Sequence, residues 1–138
     1  MIWCGNLLGT FLVAQGVRHS RSFPAVSARI AKVCAAKAAD CWPSWLILSF
    51  FCGILMYTAV EGFKRKEELP GVVRMTLVFL CVAVFILSGF EHCIADMFYF
   101  SAAGAWNADS LKTILIITAG NSLGGFLLPA AELVRHDS

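Results

Sequence analysis

Ser88-Gly89-Phe90-Glu91-His92-Cys93-Ile94-Ala95-Asp96-Met97-Phe98-Tyr99-Phe100 places three ionisable side chains, Glu91, His92 and Asp96, inside otherwise apolar sequence. The stretch overlaps the end of an uncharged run from Met75 to Phe90. Counted from Val72, Glu91 and His92 fall about 20 residues in, so a straight helix rising about 1.5 Å per residue would carry them to the far edge of a membrane span. There they would form an interfacial charged pair. If the helix instead breaks at Ser88-Gly89 and restarts as a half-helix running to about Phe100, the same groups lie at membrane depth against protein. The first amides of that half-helix would then face a cavity and attract an anion, with Glu91 and Asp96 in its first turns. Histidine suits such a place because a neutral ring donates a hydrogen bond and a charged ring can protonate a weak-acid anion. Composition alone leaves both arrangements open.

Outward from this stretch, charge is confined in the same way. Met1 to Val17, Pro43 to Val60, Met75 to Phe90 and Thr113 to Ala131 are uncharged, and a bilayer demands roughly 17 to 25 apolar residues per helix. Basic residues crowd the connections between them: Arg18, Arg21, Arg29, Lys32 and Lys37 in the first, and Lys64, Arg65 and Lys66 in the second. Trp42, Trp45, Tyr99 and Trp106 fall near predicted helix ends, where amphipathic rings favour the headgroup layer. The spacing therefore predicts an all-α, polytopic membrane bundle with helices at about 2–17, 43–60, 72–103 (broken near 88–92) and 110–131. The 138 residues are 59% hydrophobic and 14% charged, against about a quarter charged in soluble domains, which argues against a soluble enzyme. A net charge of +2 offers no electrostatic footprint for nucleic acid.

Other chemistries find little support. The six cysteines have no C-x-x-C spacing, and Cys52 and Cys81 lie in long apolar runs, so they read as small buried hydrophobes. His19, His92 and His136 are scattered and no partner has ligand spacing, so neither a metal nor a cofactor is expected. No P-loop, nucleophile elbow or zinc motif is present, and no catalytic residue is assigned. Residues 1–17 lack the positive n-region and the cleavage site of a signal peptide.

The chain also echoes itself. Gly5-Asn6-Leu7-Leu8-Gly9 and Gly120-Asn121-Ser122-Leu123-Gly124-Gly125 share the pattern G-N-x-L-G inside apolar runs. Small residues let membrane helices approach closely and a buried Asn supplies an interhelical hydrogen bond, so the pentad suits packing and pore lining. If it marks the last helix of a repeat, one copy is complete and the other retains only that helix. Inverted-repeat transporters carry an odd number of helices per unit, so two helices are then expected ahead of Met1, making the chain a fragment, a truncated gene product or the result of a misplaced start.

With these residues in hand, a resemblance emerges. Gly89-Phe90-Glu91-His92-Cys93-Ile94-Ala95-Asp96-Met97-Phe98 resembles the G-F-E-H-S-(I/V)-A-N-M signature of the formate/nitrite transporter family. Gly120 to Gly125 is similar to that family's sixth-helix G-N-(I/L)-(I/L)-G-G, and Gly5 to Gly9 to its third-helix G-N-L-(I/V)-G. Cys52 to Val60 occupies the place of its fourth-helix C-N-x-L-V-C-L-A-V. The likeness runs from about Cys4 to Ala131 and makes residues 1–138 a partial transporter domain holding the third to sixth helices of an aquaporin-like inverted repeat.

The resemblance implies a homopentamer in a bacterial or archaeal cell membrane, each protomer carrying small monovalent anions such as formate, nitrite or hydrosulfide, with formate first as the family's commonest cargo. It assigns Phe90, Glu91 and His92 to the pore, with His92 near the narrowest point and able to exchange protons with the substrate. Asn121 and Asn6 match the two pentad asparagines. Lys37, sixteen residues before Gly53, matches a lysine that draws anions to the vestibule. Two positions depart from the pattern. Gly53 stands for the usual fourth-helix Asn, and Asp96 for the usual Asn, bringing a negative charge toward the pore.

Family topology puts Lys64 to Arg74 and the tail with Arg135 inside the cell, and Arg18 to Lys37 outside. The chain's basic residues, six on one side and five on the other, do not choose. The competing expectation is a truncated remnant that inserts in the membrane and conducts nothing.

Overall fold

Six α-helices follow one another through residues 1–136, the part of the chain that the computed structural model describes, with side chains described as far as Val134. They are α1 (Ile2–Arg18), α2 (Phe23–Ala39), α3 (Trp42–Lys64), α4 (Gly71–Leu87), α5 (Cys93–Ala103) and α6 (Ala108–His136). No strand occurs among the described residues.

Local chemistry sets the ends. Pro24 and Pro43 stand in the first turns of α2 and α3, where a missing N–H costs nothing. Asn107 caps α6 reciprocally: its Oδ1 accepts from the Ser110 amide and its own amide donates to Ser110 Oγ, both at 2.8 Å. α4 stops at a Schellman turn. Gly89 takes φ 67°, the Gly89 amide reaches Ile86 O at 3.4 Å and the Phe90 amide reaches Phe85 O at 3.1 Å. After an extended His92, the chain re-enters a helix at Cys93. Of the two arrangements open to residues 72–103, the broken one is adopted. Gly104, also at φ 67°, ends α5 with the same pair of bonds, to Phe100 O and Ser101 O.

α2 departs from the expectation of a charged connection after α1. Seven alanines between Phe23 and Ala39 favour helix, and Ile30, Cys34 and Lys37 form a buried stripe at positions i, i+4 and i+7. The stripe packs on α5.

Two groupings build the bundle. α1 and α2 pack around α5, with a cluster of Ala14, Ile30, Cys34, Met97, Phe100, Ala102 and Ile114 at the centre. α3 lies against α4 and, most extensively, against α6. The α3–α6 contact brings backbones together. A Cβ at Gly120 would collide with Ser49, at Gly124 with the Phe50 carbonyl, and at Gly53 with the Asn121 carbonyl. Gly53, Gly120 and Gly124 together let α6 approach α3. The matching Gly5 and Gly9 of α1 meet nothing within 4 Å.

The outside is apolar. Phe79 and Leu87 of α4, Phe126 of α6 and Leu12 of α1 all point outward, an arrangement suited to lipid as solvent. α3 and α6 are each long and apolar enough to cross a membrane. All six cysteines are free. Cys34, Cys52 and Cys81 are buried, but Cys4 and Cys41 are exposed at the starts of α1 and α3, so burial describes only part of the set.

Candidate functional site at the helix break

The break between α4 and α5 opens onto a cavity of about 540 Å³ bounded by α2, α4 and α5, with Leu48 of α3 in its wall. Phe90, Glu91, His92, Asp96 and Lys37 all line it. Five of the seven residues singled out in the sequence therefore share one space.

Asn121 of α6 builds the wall from behind. Its Nδ2 donates to Ser49 O at 2.8 Å and to Glu91 O at 2.9 Å, while its Oδ1 accepts from the Cys93 amide at 2.9 Å. One amide side chain thus ties α3, the break and the start of α5 together, and it spends its polar atoms on protein. Asn6 sits elsewhere, on α1, half-buried, and is not among the residues lining the cavity.

His92 is the N-cap of α5. Its Nδ1 accepts from the Ile94 amide at 3.3 Å, so a neutral ring carries its proton on Nε2. The Phe85 ring lies 5.7 Å from the imidazole, and Phe90 stacks on Phe51 at 5.9 Å, giving the break apolar walls. The first amides of the half-helix are less available to an anion than the sequence led one to expect. Those of Cys93 and Ile94 are taken by Asn121 and His92, and the next belongs to Ala95 on the cavity wall. Asp96 stands in the first turn of α5, whereas Glu91 precedes the cap.

Lys37 is buried, not displayed in an open vestibule. Its ammonium contacts Glu91 Oε2 and lies 2.7 Å from Asp96 Oδ1. The lysine is 8% exposed, Glu91 7% and Asp96 2%, so the three form a largely buried ion cluster on the cavity wall. Exposed Arg29 and half-buried Tyr99 also line the cavity; the sequence placed them in a charged connection and near a helix end, not in the site. Arg29 could have been found once α2 was recognised, since Arg29, Val33, Lys37 and Asp40 follow one helical stripe. No group of residues fit to hold a metal ion occurs among those described.

An apolar helix interrupted between α4 and α5, clamped by an Asn from a neighbouring helix and facing a cavity with histidine and paired charges, is the organising feature of this helical membrane bundle. The chain matches the formate/nitrite transporter family over residues 1–134, and it belongs to that family. It is similar to the nitrite transporter NirC of Escherichia coli K12 and to that of Shigella flexneri, 27% identical over 132 residues in each case. NirC of Salmonella typhimurium is 26% identical over the same length. Each alignment covers 89% of this chain and 48% of the relative, so the chain spans about half the length of the curated relatives it matches. No solved structure gives a significant match.

Proposed function

We propose that this chain forms part of a membrane pore for small monovalent anions, selective passage being its whole chemistry and bond-making catalysis no part of it. The observation that carries the reading is the placement of His92 at a helix break, on the wall of a cavity it shares with the Lys37–Glu91–Asp96 cluster. An anion entering a low-dielectric path loses its hydration and must be offset by fixed dipoles or by a proton. The Ala95 amide and the His92 ring supply these two means, and Arg29 at the exposed edge supplies attraction from solution.

Formate and nitrite are the substrates to test first: formate as the family's commonest cargo, nitrite because the matched relatives carry that name. Hydrosulfide is of similar size and charge. We place the chain in a bacterial or archaeal cell membrane as a multi-pass protein, assembled as a homopentamer with one path per protomer and with protons accompanying or exchanging with the anion. The test is uptake of labelled formate and nitrite into liposomes holding the purified protein. Uptake that saturates and is altered in His92→Ala supports the reading, and uptake no faster than in empty liposomes refutes it.

Native mass spectrometry of the detergent-solubilised protein checks the assembly: a pentamer supports it, and a monomer refutes it.

A further inference from the structure

The ion cluster on the cavity wall does not balance. Glu91 and Asp96 present two carboxylates to the single ammonium of Lys37, and each of the three residues is less than a tenth exposed. The groups facing Asp96 are Lys37 and Cys34 from α2, Cys52 from α3, and Glu91 and Cys93 from its own stretch. His92 lines the same cavity, and Arg29, the other cation on its wall, is exposed. Among the described groups, Lys37 is thus the one positive charge in contact with the pair. Full ionisation would bury one uncompensated negative charge, which protein interiors resist strongly. Asp96 Oδ2 adds a second observation, being buried without a hydrogen-bond partner. An ionised oxygen left bare is the costliest state of that atom, and a proton on it removes the charge.

We propose that Glu91 and Asp96 form a proton-binding site, holding one proton between them beside the charge of Lys37. Asp96 is the residue that creates the site, because the Asn that the family signature carries at this position could not take the proton. Bound, the proton leaves the cavity wall neutral, so an anion approaching His92 meets no net negative charge. Released to water in the cavity, it leaves a carboxylate that opposes the anion. This consequence rests on the transport reading, whereas the proton site itself does not.

Infrared spectroscopy of the full chain in detergent tests the site through the C=O stretch of a protonated carboxyl at neutral pH, where exposed Asp and Glu side chains are ionised. The wild type should show a band equal to a single carboxyl, shifting in heavy water. Asp96→Asn and Glu91→Gln should each lose it, since either leaves one carboxylate for one ammonium. If Asp96→Asn loses its helical circular dichroism, Glu91→Gln decides, and Lys37→Met should strengthen the band. No band in the wild type, or an undiminished band in a folded Glu91→Gln variant, overturns the proposal. The band is read independently of flux, so a protein that carries no anion yet shows it would refute the transport reading and uphold the proton site.

Discussion

Asn121 shows how much a single side chain can hold in this fold. It bonds the Cys93 amide and the Glu91 carbonyl, which would otherwise be stranded at the break, and ties them to the Ser49 carbonyl of α3. Asn121→Ala should therefore destabilise the protein by about 2–3 kcal/mol, the cost of leaving buried backbone groups unpaired, as read from denaturant unfolding followed by circular dichroism. Lys37 is the second such residue. Lys37→Ala leaves the negative charge of the Glu91–Asp96 pair without its cation and should cost about 3–5 kcal/mol, while the triple replacement Lys37→Met, Glu91→Gln, Asp96→Asn should recover most of that loss. The partners of Lys37 were not legible in the sequence. Glu91 lies 54 positions away, and nothing in local spacing joins a lysine in an alanine-rich stretch to a carboxylate beyond two further helices. The identity of Glu91, His92 and Asp96 as unusual was legible, because charge inside apolar sequence needs a reason.

At the scale of elements, the break was readable and α2 was not. Ser88-Gly89 before a charged cluster signals a helix stop, and Gly89 adopts the left-handed φ that only glycine takes without strain. The basic residues of α2 instead read as a connection between spans, since uncharged length was the criterion. Its alanine content and the Ile30, Cys34, Lys37 stripe carried the contrary signal. The pentads make the sharpest comparison. Gly5 and Gly120 hold the same place in G-N-x-L-G, yet a Cβ at Gly5 meets nothing within 4 Å whereas at Gly120 it runs into Ser49 and lies 2.8 Å from the Leu46 carbonyl. Gly120→Ala should lower the thermal midpoint clearly, by about 1–3 kcal/mol of stability from overpacking. Gly5→Ala should leave it unchanged or raise it by up to about 1 kcal/mol of helix propensity.

At the scale of the whole molecule, the outer faces of α1, α4 and α6 display large apolar side chains, the reverse of a soluble protein. The chain should sediment with membranes and stay there after alkaline washing, as followed by immunoblotting, and recovery in the soluble fraction would contradict the bundle as described. The proposed anion path runs past His92, which lines the cavity at the break. The most direct test is anion uptake into liposomes across a pH series through the ordinary histidine range near about pH 6.5, comparing wild type with His92→Ala. A saturable flux whose pH dependence flattens or vanishes in His92→Ala is the predicted result. Equal flux with the same pH profile in both proteins would contradict it.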